Sequence, residues 1–117
     1  MSQRILVINP GSTSTKIGVF EDGVESFTES VAHGAEEIAR YSAIADQFEF
    51  RERTIRAALE KRGFDIRTVA CVVGRGGLLR PIPGGVYAVS ETMKDDLRSG
   101  RYGEHASNLG GLIADAL

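Results

Sequence analysis

Ile5-Leu6-Val7-Ile8-Asn9-Pro10-Gly11-Ser12-Thr13-Ser14-Thr15-Lys16-Ile17-Gly18-Val19-Phe20 is the stretch on which the fold turns. Its first four residues are branched and apolar on both alternations, which predicts a strand covered on both faces. The strand ends at Asn9, and Pro10-Gly11-Ser12-Thr13 is a strong turn signal. From Ser14 to Phe20 the pattern alternates again. Ile17 and Val19 share one face, while Ser14, Lys16 and Gly18 share the other. Glu21-Asp22-Gly23 is a hairpin-type turn, and Val24 to Val31 follows as a more polar strand, expected at a sheet edge. The connections are too short for parallel crossovers, so the three strands form an antiparallel meander.

Outward from the meander the pattern becomes helical. Gly34 to Ala45 is rich in Ala and Glu and reads as a helix. Asp46 with Glu49 resembles a capping box for a second helix, in which Phe48, Ile55, Ala58 and Leu59 recur up to Arg62, with Gly63 as its C-cap. Thr68 to Val73 is a second buried-type strand, reached through that helix and therefore parallel to the first. Gly74-Arg75-Gly76-Gly77 lies at its carboxyl end. Pro81-Ile82-Pro83-Gly84-Gly85 makes a rigid turn before a short strand at Val86 to Val89. Ser90 is an N-cap for a helix with Met93 and Leu97 facing inward. A last helix begins around Glu104 or His105 and carries Leu109, Leu112, Ile113 and Leu117. These elements predict an α/β domain whose mixed sheet has antiparallel first three strands and helices on both faces. The final helix stops in mid-pattern, without Gly, Pro or a basic residue. The expectation is an amino-terminal piece of a longer protein, with Leu112, Ile113 and Leu117 exposed where the remainder would dock.

Composition narrows the function classes. The 117 residues are 42% hydrophobic and 26% charged, which fits one soluble domain and excludes a disordered or collagen-like chain. Fourteen Lys and Arg against sixteen Asp and Glu give a net charge of -2, the wrong balance for gripping nucleic acid through its phosphates. Cys71 is the single cysteine, so no intramolecular disulfide forms; it reads as a small buried hydrophobe. The apolar run at Ile5 to Ile8 is far too short for a signal peptide or a membrane span, which makes the cytoplasm the expected compartment.

Two constellations carry chemistry. In Asn9-Pro10-Gly11-Ser12-Thr13-Ser14-Thr15-Lys16 a glycine lets the backbone turn and present N–H groups, while hydroxyls and an ammonium offer donors to phosphate oxygens. It is not a Walker A loop, because Thr15 precedes the lysine, Ile17 follows it and a strand results. Lys16 interrupts an otherwise buried-looking strand, which sets the segment apart from an ordinary polar hairpin turn. Gly74-Arg75-Gly76-Gly77 exposes backbone at the end of a buried strand, where open α/β sheets hold ligands, and Arg75 has the planar fork that clamps carboxylate or phosphate. The alternative is a glycine-rich loop with a solvated arginine. His105 stands near a helix start, where a histidine alone reads as a capping or surface residue. His33 reads as structural or exposed. Arg51, Arg53, Arg56 and Arg62, interleaved with Glu52 and Glu60, read as a solvated helix face.

Three blocks, in order, resemble the acetate kinase family of actin-like, sugar-kinase-like phosphotransferases. Ile5 to Lys16 resembles the family's opening phosphate-binding hairpin, and Tyr102-Gly103-Glu104-His105-Ala106-Ser107-Asn108-Leu109-Gly110 resembles its His-x-x-Asn-Leu region. Val72-Val73-Gly74-Arg75-Gly76-Gly77-Leu78-Leu79-Arg80-Pro81-Ile82 is similar to the branch of that family acting on butyrate. The resemblance implies an RNase H-like (actin-like ATPase) domain over residues 1–117, the first part of a longer two-domain kinase. It implies reversible phosphoryl transfer between ATP and a short-chain carboxylate, giving an acyl phosphate and ADP, with Mg2+ and a homo-oligomeric whole enzyme. By the same resemblance Asn9 would contact magnesium or its water. Gly11, Ser12, Ser14 and Lys16 would hold nucleotide phosphates, and Arg75 and His105 would sit near the acyl group or the transferring phosphoryl. The acetate branch has an arginine several residues before a His-Gly-Gly; here Val72 or a neighbour stands at the earlier site and Arg75 replaces the histidine. An acetate or branched-chain acyl kinase, or a non-catalytic RNase H-like module that binds an anion or partner, are the other readings. The family's catalytic aspartate, second arginine and adenosine-binding glycines have no counterpart up to Leu117. A coupled ADP-release assay with butyrate, ATP and magnesium is therefore expected to show no turnover by the 117-residue chain, and robust turnover would overturn either the truncation or the family reading.

Overall fold

The computed structural model describes residues 3–117, and its first three strands form the expected meander. Strand β1 (Arg4–Pro10) pairs antiparallel with β2 (Ser14–Glu21), and β2 pairs antiparallel with β3 (Val24–Ala32). Glu21 pairs with Val24, leaving a two-residue turn in which Asp22 and Gly23 take φ of 52° and 84°. Two left-handed residues make the primed turn whose twist matches that of the flanking strands. Strand β4 (Cys71–Gly74) lies parallel to β1 and gives the sheet order β3-β2-β1-β4. The mixed four-stranded sheet is thus as the sequence predicts.

One face of the sheet carries the core. Leu6 stands opposite Val19 and Ile8 opposite Ile17, and all four are buried. Against them pack Ile55, Ala58 and Leu59 of α2 (Phe48–Lys61), Leu97 of α3 (Glu91–Ser99), and Leu109, Leu112 and Ile113 of α4 (Leu109–Ala116). Each Leu, Ile or Val side chain among them, removed from water, contributes about 1.5–3 kcal/mol. Ile5 and Val7 point the other way, beside Cys71 and Val73 in the parallel register. Cys71 and Val73 are exposed. The expected cover on both faces of β1, with helices on both sides of the sheet, is therefore not found among the described residues, since all the helices that build the core lie on one side. For the same reason Cys71 is not a buried hydrophobe: it sits on an edge strand and faces away from the helices.

Other expectations shift for local reasons. Gly34 to Ala45 is not one helix; α1 spans only Ala35–Ala39, and a 3₁₀ turn follows at Ile44–Gln47. Asp46 does not cap α2. Its carboxylate accepts from the Ala43 N–H at 3.2 Å and the Ser42 hydroxyl at 3.3 Å, closing the 3₁₀ turn that runs directly into the helix. Thr68 ends another 3₁₀ turn, so β4 starts later than expected, and Val86 to Val89 forms no strand. Leu112 and Ile113 are not exposed: at 5% and 0% they fill the core, and Leu117 packs against it. The remaining cap signals are met. Gly63 is left-handed after α2, with the Phe64 N–H reaching the Leu59 carbonyl at 2.9 Å, and the Ser90 hydroxyl accepts from the Met93 N–H at 3.2 Å.

Helix α4 meets β4 almost backbone to backbone. A methyl group on Gly74 would collide with the Gly110 carbonyl, and one on Gly110 with the Arg75 carbonyl. This approach fixes where the loop after β4 begins. Gly110→Ala should destabilise the chain by about 3 kcal/mol, because backbone on both sides must move. Gly84→Ala, with nothing within 4 Å of the added carbon, should stay within about 0.5 kcal/mol of the parent in the same denaturant titration.

Candidate anion site at the carboxyl end of the parallel strand pair

The turn between β1 and β2 is built from below. The Gly11 N–H donates to the Ser14 carbonyl at 2.7 Å, and the His33 N–H donates to the Thr13 carbonyl at 2.8 Å. Gly11 takes no left-handed φ, so its role in the turn is small size, with the Ser14 hydroxyl 3.6 Å from where a Cβ would stand. The turn's other carbonyls face a buried guanidinium. Arg51 of α2 is fully buried, and its Nη1 donates to the carbonyls of Gly11 at 2.7 Å and Ser14 at 3.1 Å and to the Thr15 hydroxyl at 3.2 Å. Its Nη2 reaches the Ser12 carbonyl at 3.4 Å, and Gln47 Oε1 accepts from Nη2 and Nε at 2.9 and 3.0 Å.

Arg51 is thus no part of a solvated helix face, whereas Arg53, Arg56 and Arg62 are exposed as expected. The signal for it was present: Arg51, Ile55, Ala58 and Leu59 fall at i, i+4, i+7 and i+8, so a charge stands on the apolar stripe. Burial draws its pKa below the usual arginine value, but a guanidinium stays protonated in a protein. His33 is buried beside it. A Thr15 hydroxyl that accepts from Arg51 keeps its own proton to donate, and His33 Nε2 lies 2.8 Å away to receive it.

Above this scaffold the predicted residues gather. Asn9 and Lys16 are directly paired across β1 and β2, on the face away from the core, and Lys16 is exposed. Gly11, Ser12 and Ser14 lie in or beside the turn that joins them. Arg75 follows β4, its N–H bonded to the Ile8 carbonyl at 2.9 Å, so it stands one strand over from Asn9. The carboxyl ends of the parallel pair β1 and β4 and the start of β2 therefore bring Asn9, Lys16 and Arg75 side by side.

Beyond Arg75 the loop 75–90 borders a groove of about 660 Å³, lined among others by Leu79, Ile82, Val89 and Met93. Arg80 ties this loop to α3 through paired contacts to Asp96 at 2.7 and 2.8 Å, which hold the Asp96 carboxyl below and the Arg80 guanidinium above their ordinary pKa values. Asn108, buried, accepts from the Leu78 N–H at 2.7 Å and donates to the Gly103 carbonyl at 2.9 Å. That pins the segment carrying His105 to the same loop. His105 is exposed, and its Nδ1 accepts from the Ser107 N–H at 3.0 Å. The neutral ring therefore carries its proton on Nε2 and offers a donor. Among the described residues no group of three or more His, Cys, Asp or Glu is placed to hold a metal. Asn9 supplies one neutral amide oxygen, so a divalent ion here would depend on phosphate oxygens and water for most of its shell.

No family model matches the chain. Similarity to butyrate kinases nevertheless runs its whole length. It is 54% identical over 117 residues to a probable butyrate kinase of Clostridium botulinum (strain Eklund 17B / Type B), and those residues are 33% of that protein. It is 52% identical over 114 residues to butyrate kinase 1 of Clostridium acetobutylicum, 97% of this chain and 32% of the relative. A probable butyrate kinase of Listeria monocytogenes (serotype 4b, strain CLIP80459) is 49% identical over all 117 residues. The chain spans about a third of the length of these relatives.

The buried scaffold makes stability depend on pH. Burial and then the Arg51 charge hold the His33 pKa below 6.5, only partly opposed by Glu37. Below about pH 6.5 the unfolded chain takes up a proton that the folded chain refuses, so this contribution is complete above that pH and is lost as pH falls through the folded value. The unfolding free energy of the parent relative to His33→Gln should therefore shrink as pH is lowered from about 7.5 to 5. A difference that does not change with pH would show that His33 is not held neutral.

Proposed function

We propose that the chain is the phosphate-holding part of a carboxylate kinase that transfers a phosphoryl group between ATP and butyrate or a similar short-chain acid. The observation that carries this reading is the side-by-side placement of Asn9, Lys16 and Arg75, with a groove rich in apolar side chains opening beside Arg75. The similarity to butyrate kinases supports the substrate class. Residues 1–117 would then form the amino-terminal, RNase H-like domain of a two-domain, cytoplasmic and homo-oligomeric enzyme. Among the described residues no helix is long and apolar enough to cross a membrane.

The chemistry asks for cations and donors and no general base. A carboxylic acid is already ionised at pH 7, so its oxygen attacks the γ-phosphorus without losing a proton while the bond to the ADP oxygen breaks. What must be supplied is alignment of two anions and neutralisation of the charge between them. Lys16 binds the nucleotide phosphates, and the hydroxyls of Ser12 and Ser14 donate to the same chain. Asn9 would hold magnesium or one of its waters, and the ion would supply further neutralisation of the phosphate charge. Arg75 clamps the carboxylate or the transferring phosphoryl while the acyl tail lies along Leu79, Ile82 and Met93. His105, through Nε2–H, donates to an oxygen of the moving group.

In the whole kinase Lys16→Ala should lower kcat/KM by roughly 10²-fold, the cost of removing one preorganised charge from phosphate oxygens. Near-normal kinetics and nucleotide affinity in that variant would return Lys16 to a structural role and remove the main support for the reading.

A further inference from the structure

We infer that Arg51, which a bound phosphate would never touch, is the positioning residue of the anion site. It turns the Ser12 and Thr13 amides outward and places an unneutralised charge beneath them. The inference deepens the reading of this turn as a phosphate site. Two independent features support it, one geometric and one electrostatic.

A trans peptide holds its C=O and the next N–H antiparallel. No peptide bond in the described chain is cis. The Gly11 carbonyl points down to Arg51 Nη1, so the Ser12 N–H points up and away. The Ser12 carbonyl points down to Nη2, so the Thr13 N–H also points away. Neither amide finds a backbone acceptor among the described residues. Two consecutive N–H groups aimed the same way form a concave anion cradle of the kind called a nest. The turn's sequence alone does not produce this; the guanidinium below does, by claiming the carbonyl side of each peptide.

The second feature is charge. All the acceptors on Arg51 are neutral: carbonyls, a hydroxyl and the Gln47 amide. A fully buried cation without a carboxylate partner is costly to a fold. His33, the titratable neighbour joined to it through the Thr15 hydroxyl, can be only neutral or cationic and supplies no counter-charge. The surface that can relieve the charge is the turn above, and the ligand that fits both features is a phosphate or polyphosphate group.

The test uses the isotope-labelled 117-residue chain titrated with inorganic pyrophosphate and followed by amide and arginine side-chain resonances. Saturable shifts of Ser12 and Thr13, with Arg51 Nε–H moving at the same midpoint, are expected from the parent. Arg51→Lys keeps the charge but not the fork that claims several carbonyls, and should weaken binding by about tenfold. Arg51→Gln, which loses both, should weaken it further. Binding by Arg51→Lys as tight as the parent's would overturn the inference while leaving the turn an anion site. So would an Arg51 Nε–H that stays still while the turn amides shift, a reading that needs no variant to fold. A parent chain whose Ser12 and Thr13 resonances do not respond would overturn both this inference and the phosphate-site reading.

Discussion

The structure depends most on one buried guanidinium. Arg51 joins helix α2 to the β1–β2 turn through the carbonyls of Gly11, Ser12 and Ser14 and the hydroxyl of Thr15. Without it, the Gly11 and Ser12 carbonyls would lie under a helix with no donor, and unsatisfied buried acceptors each cost about 1–3 kcal/mol. Instead the guanidinium donates to each of them, and no buried side-chain polar atom among the described residues lacks a partner. The same contacts fix which side of each peptide faces out. A stability device and a binding device are therefore the same interaction, seen from below and from above.

A second constraint acts on the other half of the site. Gly74 and Gly110 let β4 and α4 approach until only hydrogen atoms fit between them, and Gly77 packs just as tightly, its absent Cβ 2.6 Å from Asn108. Asn108 then holds both Leu78 and Gly103, so the loop bearing Arg75 and the segment bearing His105 are tied together. The sheet face away from the helices is left for Asn9, Lys16 and the exposed pair Cys71 and Val73. Asn9 and Lys16 thus stand on the face opposite the core, where polar groups do not disturb the packing beneath.

Much of this was legible in the sequence because it is encoded locally. Strand alternation from Ser14 to Phe20 placed Ile17 with Val19 and Lys16 with Ser14, and the register agrees. Asp22-Gly23 and Ser90 declared their turn and cap through backbone preferences that need no tertiary context. What was not legible rests on long-range partners. Arg51 looked like its exposed neighbours because composition counts charges without asking which helical face they occupy. Asn108 stood in a recognisable block, but its acceptance from Leu78, thirty residues earlier in the chain, has no sequence signature. The one-sided sheet was missed because apolar residues at Ile5 and Val7 read as buried on both alternations; the described helices all take the other face.

The central claim is that the Arg51-anchored turn is where phosphate is held. A crystal structure of the chain grown with ADP and magnesium tests it most directly. The account predicts phosphate oxygens about 2.7–3.2 Å from the Ser12 and Thr13 amide nitrogens and within reach of Lys16 Nζ. Nucleotide phosphate bound elsewhere on the chain, with the turn empty, would contradict it.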